Sequence, residues 1–156
     1  PWATTGCWGP LHPANAMSMQ TGDIDGNGQD DLLANFAGAG LWARMNDGAS
    51  WVHVHPFNST SLSLANIDGD SAGQADIVVD LPGMGVWALM NRTSWVPIHP
   101  QRVTKLITAD LDSNGVFEVI ANFPGGGVWA LANFREWILL TPNAAQDVVA
   151  GRIDAK

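Results

Sequence analysis

The chain has 156 residues, 46% of them apolar, which suffices for one buried core and is too apolar for a disordered segment. A formal charge of −8 with only 7 basic residues argues against a nucleic-acid-binding face. The single cysteine, Cys7, excludes an internal disulfide and leaves a buried thiol or a link to another chain. The sequence shows no signal-like, transmembrane or basic targeting run. Pro1 falls in the middle of a repeat, so the N-terminus reads as processed or excerpted.

Trp2 and Trp8 open the chain, and Trp8-Gly9-Pro10-Leu11-His12-Pro13 introduces a phrase that recurs. It returns as Trp51-Val52-His53-Val54-His55-Pro56, as Trp95-Val96-Pro97-Ile98-His99-Pro100 and as Trp137-Ile138-Leu139-Leu140-Thr141-Pro142. A second phrase, Gly40-Leu41-Trp42-Ala43, recurs at Gly85-Val86-Trp87-Ala88 and Gly127-Val128-Trp129-Ala130, first 45 and then 42 positions on. That period suits one four-stranded unit. Strand a leads into an acidic loop (Leu62 to Ile67, Lys105 to Leu111), and strand b follows it (Asp31 to Phe36, Ile77 to Leu81, Val119 to Phe123). A glycine turn such as Pro82-Gly83-Met84-Gly85 then reverses the chain into strand c, which holds the first Trp of each pair, and strand d holds the second. Strands b and c are apolar at nearly every position, so both faces of each sheet should be covered.

The acidic loop is written three times. Asp23-Ile24-Asp25-Gly26-Asn27-Gly28 leads to Asp31; Asn66-Ile67-Asp68-Gly69-Asp70 leads to Asp76; Asp110-Leu111-Asp112-Ser113-Asn114-Gly115 leads to Glu118. Side-chain oxygens at positions 1, 3, 5 and 9 of a tight loop, with a carbonyl at 7, suit a hard cation such as Ca²⁺, which takes six to eight oxygens. The second copy has two extra residues before Asp76. An EF-hand is excluded: Ala34, Ile77 and Ala121 stand where its bidentate Glu belongs, and the flanks alternate as strands. Asp-Gly and Asn-Gly also mark plain turns, but three aligned copies favour calcium, about three ions in all.

The expected fold is all-β, built of propeller-type four-stranded blades, with an open stack of such units as the alternative. Residues 1–21 supply strands c and d of a partial blade and an entry strand; about 22–61, 62–104 and 105–147 are successive repeats; 148–156 begin a further blade, with strand a at Val148 to Asp154. The missing strand b points to a fragment of a longer propeller or to a sheet completed by another copy.

The Asp-x-Asp-Gly-Asn-Gly-x-x-Asp loop running into a hydrophobic strand, then Gly-Leu-Trp or Gly-Val-Trp and a Trp-bearing strand, resembles the FG-GAP/VCBS repeats. Those extracellular propeller units are related to the integrin α headpiece and to some propeller lectins, and the resemblance covers essentially the whole chain. It implies a calcium loop between strands a and b of each blade and a secreted or surface module, non-enzymatic, serving adhesion, recognition or self-assembly. Carried over, the ligands are Asp23, Asp25, Asn27 and Asp31 with the Gln29 carbonyl; Asn66, Asp68, Asp70 and Asp76 with the Gln74 carbonyl; and Asp110, Asp112, Asn114 and Glu118 with the Val116 carbonyl. Asn66 weakens the second site's charge and Glu118 lengthens the third site's last ligand. Arg152 puts a cation at the start of a fourth copy, which is not counted.

The Trp pairs suit blade packing, because aromatic side chains dominate cores; saccharide stacking on Trp42, Trp87 and Trp129, in pockets between blades, is the alternative. His12, His55 and His99 share a position with Thr141, so the residue there is expected to hydrogen-bond at a strand end rather than hold a metal. His53 and His55 share a face, but a third ligand is not evident. Asn35, Asp80 and Asn122 form a polar column, expected to bond the following glycine turn, with a ligand-facing ring as the alternative. Asn58-Ser59-Thr60 and Asn91-Arg92-Thr93 match the glycosylation pattern. No catalytic constellation such as Gly-x-Ser-x-Gly or His-Glu-x-x-His occurs, so an enzyme is not expected.

Overall fold

The computed structural model describes residues 10–45, 50–71 and 73–151. Twelve strands and no helix occur among them. The first sheet holds β1 (Ala16–Gly22), β2 (Asp31–Phe36), β3 (Gly40–Arg44) and β4 (Trp51–His55). The second holds β5 (Ser61–Ala65), β6 (Asp76–Leu81), β7 (Gly85–Met90) and β8 (Ser94–His99). The third holds β9 (Lys105–Ala109), β10 (Glu118–Phe123), β11 (Gly127–Ala132) and β12 (Glu136–Thr141). Each is an antiparallel meander in chain order, and the sheets are not closed into a barrel.

The repeat fixes one register three times: Leu33 faces Ala43, Val78 faces Ala88 and Ile120 faces Ala130. The turn into the third strand ends on Gly40, Gly85 or Gly127, each at positive φ (+80°, +82° and +85°). A Cβ on them would overlap the carbonyl oxygens of His55, His99 and Thr141, so only glycine lets the third strand start against the end of the fourth. The register then shifts at Leu41/Trp42, Val86/Trp87 and Val128/Trp129, where Val54, Ile98 and Leu140 of the fourth strands are left as the extra residue of a bulge.

The sheets stack through alternating residues. Leu33, Leu41 and Ala43 of the first pack with Leu62, Ile77, Val79, Leu81 and Leu89 of the second. On the second sheet's other face, Val78, Val86 and Ala88 pack with Leu106, Val119, Ala121, Phe123 and Leu131 of the third. Every residue of β6 is consequently buried, as the apolar run requires. The third sheet's far face, around Ile120, Val128 and Ala130, is met by Ala145 and Val148. The strand expected at Val148 to Asp154 is not formed over its described part, 148–151, and among the described residues no strand pairs with it. Pro10–Pro13, expected as strand, is also irregular, although His12 stacks on Phe36 at 4.1 Å. Cys7, Trp2, Trp8 and the fourth loop start at Arg152 lie outside the described residues.

The polar column does not bond the glycine turns. Each member ties down a connection between sheets instead. Asn35 Nδ2 donates to Ser59 O (2.8 Å), Asn122 Nδ2 donates to Ala145 O (2.7 Å), and buried Asp80 accepts from Thr60 Oγ1 and from Arg102 Nε at 3.4 Å. With exposures of 0–1% the column is shut off from solvent. β5 lies beside both β1 and β9. There Ser61 Oγ accepts from Leu106 N–H (3.0 Å), the Ser63 and Thr108 hydroxyls meet at 2.8 Å, and a cleft of ≈ 600 Å³ opens between these first strands.

Candidate metal centres

The three acidic loops join the first and second strands of each sheet. In the first, the side chains fold back on the chain that carries them. Asp23 Oδ1 accepts from Gly26 N–H (2.7 Å) and Asn27 N–H (3.0 Å), and its Oδ2 accepts from Gly28 N–H (2.8 Å). Asp25 Oδ1 accepts from Asn27 N–H (3.1 Å), and Asn27 Oδ1 from Gln29 N–H (2.9 Å). Asp31, anchored at the start of β2, accepts from Ile24 N–H (2.9 Å) and closes the loop. Gly26 and Gly28 supply the positive φ this coiling needs. The result places carboxylate oxygens of Asp23, Asp25 and Asp31 within 4.8 Å of one another.

The third loop repeats this with Asp110, Asp112 and Glu118, again within 4.8 Å. Asp110 Oδ2 accepts from Gly115 N–H (3.0 Å), Asn114 Oδ1 from Val116 N–H (2.7 Å), and Glu118 Oε2 from Leu111 N–H (2.7 Å). Glu118 is 2% exposed, and its Oε1 has no hydrogen-bond partner. A buried carboxylate oxygen without a donor, held close to two more carboxylates, is costly unless a cation answers it. The donors here are all oxygens, which suit a hard divalent ion.

The second loop differs. Asn66 Oδ1 accepts from Gly69 N–H (2.8 Å), Asp68 Oδ1 from Asp70 N–H (3.0 Å) and Asp76 Oδ2 from Ile67 N–H (3.0 Å), which preserves the frame. Asp68, Asp70 and Asp76, however, do not gather as the other two triads do. The longer spacer turns Asp70 toward Gly73 N–H (3.2 Å). Asn91 donates its backbone N–H to Asp76 Oδ1 (2.9 Å) and its Nδ2 to Asp68 Oδ2 (3.0 Å). Burial pushes the Asp76 carboxyl above the ordinary range, and the charges of Asp68 and Asp70 act the same way. Of the residues expected to lend carbonyls, Gln29 is exposed and Gln74 and Val116 are half-buried.

Two residues that the loop pattern does not include reach these loops from the turns before the fourth strands. They are Asn91 and Asn133, whose Oδ1 accepts from Asn114 Nδ2 (2.8 Å). Both adopt φ of 47°, and both occupy one repeat position, Asn91-Arg92-Thr93 and Asn133-Phe134-Arg135. That alignment is the signal for them. The sequon amides have internal partners: Asn58 Nδ2 donates to Asn35 Oδ1 and Phe36 O, and Asn91 Nδ2 to Asp68.

Trp42, Trp87 and Trp129 are half-buried, and each indole N–H donates back to the glycine turn, at Ala39 O (2.8 Å), Met84 O (3.0 Å) and Gly126 O (2.8 Å). In the third sheet Gly126 replaces Ala39 and Met84. A pocket of ≈ 360 Å³ lined by His99, Gln101, Phe123, Trp129 and Trp137 stands there. The histidine column serves strand ends: Nδ1 of His12, His55 and His99 accepts the backbone N–H two residues on, and Thr141 Oγ1 does the same for Asn143. No helix among the described residues is long and apolar enough to cross a membrane. Neither protein-family models, nor curated proteins, nor solved structures give a match for this chain.

Proposed function

We propose that the chain is a calcium-stabilised β-propeller repeat module of FG-GAP/VCBS type, extracellular and non-enzymatic, with a structural, adhesive or assembly role. The observation that carries this is Glu118, whose buried Oε1 lacks a donor in the cluster it forms with Asp110 and Asp112. Asp23, Asp25 and Asp31 form the same cluster in the first sheet. Calcium held by these loops in the folded chain alone turns binding energy into folding energy.

The propeller arrangement is supported by three like sheets stacked face to face, with their first strands side by side along a hydroxyl-rich cleft. One repeat position is buried between sheets, at Leu62 (7%) and Leu106 (2%), and exposed on the first sheet, at Met19 (58%). Val54 and Ile98 pack against the cores between sheets, whereas Leu140, at the same position in the third sheet, is 49% exposed. These end faces favour continuation of the stack, by further repeats or by another copy.

Saccharide binding is the second reading, favoured by the aromatic pocket at Trp129. Light scattering after size exclusion, with thermal unfolding in calcium and in EGTA, tests the first. A large calcium-dependent rise in Tm supports it, and a calcium-insensitive Tm overturns it. A glycan array with Trp129→Ala as control tests the second.

A further inference from the structure

The first and second acidic loops are each braced by the loop that follows. At the first junction the Ala75 N–H donates to Asp23 O (2.7 Å) and the Gln74 side chain donates through Nε2 to Asp25 O (2.8 Å). Gln74 fits there because Gly26 has no side chain; a Cβ on Gly26 would lie 2.6 Å from Gln74 Cγ. The second junction repeats the device. Phe117 N–H donates to Asn66 O (3.0 Å), and Val116 stands over Gly69, where a Cβ would lie 2.6 Å from Val116 Cγ2. Gln74 and Val116 occupy the same loop position, the one expected to offer its carbonyl to the ion of its own loop. Each therefore has its main chain in one loop and its side chain against the loop before.

We propose that Gln74 and Val116 are positioning residues that couple adjacent metal loops, so that a divalent cation in one loop tightens its neighbour and calcium binds cooperatively. This rests on the calcium reading above. An ion in the third loop fixes the main chain of Val116 and Phe117, which holds Gly69 and the Asn66 carbonyl of the second loop. The second loop, once ordered, holds the first through Gln74 and Ala75. By linkage the effect runs equally in both directions. The middle loop, whose carboxylates stand apart, is gripped by the third and grips the first.

The test is a calcium titration of the ¹⁵N-labelled chain followed by NMR. The amides of Gly28 and Gly115 report the first and third loops separately, because they bond Asp23 and Asp110. Gln74→Ala keeps the carbonyl and removes the brace. It should raise the calcium midpoint at Gly28 roughly fivefold, the worth of one hydrogen bond, and move Gly115 less. Glu118→Gln, which disables the third loop, should also raise the midpoint at Gly28, two sheets away. Asn143→Ala, exposed beyond the last strand and outside every acidic loop, should move neither. If Gln74→Ala does not fold, Val116→Ala tests the other junction with Gly69 as reporter. Midpoints at Gly28 unchanged in Gln74→Ala and Glu118→Gln refute the coupling and leave the calcium reading standing. Silence of both glycines in the unsubstituted chain removes both.

Discussion

Replacing Glu118 by Gln separates the metal role of this residue from its structural one. The amide keeps an oxygen acceptor for the Leu111 N–H (2.7 Å) and supplies a donor at the unpartnered Oε1 of a carboxyl gathered with Asp110 and Asp112. In EGTA the substitution removes a buried charge with an unanswered oxygen, a defect of about 1–3 kcal/mol, so the variant should melt no lower than the unsubstituted chain. In calcium the order should reverse. At about 100 times Kd one ion contributes about 2.7 kcal/mol, and its loss should lower Tm by about 5–11 °C for a chain of this size. Calorimetry of both proteins in both buffers gives the four values needed. An equal fall in calcium and in EGTA would show that Glu118 acts as packing alone and would refute the reasoning.

Asp80→Asn gives the second sheet the residue its neighbours carry at that position and should leave urea stability unchanged or higher. Arg102→Ala should cost about 1 kcal/mol beside Asp80 and less beside Asn, since the half-exposed guanidinium answers a buried carboxylate. Gly85→Ala should destabilise by about 2–4 kcal/mol, combining the left-handed backbone with overlap on His99 O, whereas Gly83→Ala, with open space around it, should cost about 1 kcal/mol. Burial holds the His55 imidazole below its usual pKa, so the unfolded chain takes up a proton first. Its contribution is complete above the ordinary value of about 6.5 and is lost as pH falls below that and through the lower value of the folded chain. Melting curves in calcium across that window should show a smaller slope for His55→Asn.

The second strands were legible because their apolar runs begin at a carboxylate and end at a glycine turn: the expected span from Asp31 to Phe36 is the one observed. Strand a was read slightly long, since Asn66 and Asp110 leave the ladder to start their loops. The polar column illustrates what sequence leaves open. Asn35 and Asn122 find partners 24 and 23 residues away, on connections whose path follows from the stacking of sheets and not from local spacing. The acidic loops were visible as a pattern of oxygens, but gathering depends on loop length. Two additional residues and Asn91, reaching in from the next hairpin, keep Asp68, Asp70 and Asp76 from closing as the other triads do.

Calcium binding measured directly, by isothermal titration into chelator-treated protein, bears most closely on the central claim. Saturable uptake by at least the two gathered loops, reduced by one ion in Glu118→Gln, is the predicted result. Heats indistinguishable from dilution would contradict it and leave the acidic loops as turns alone.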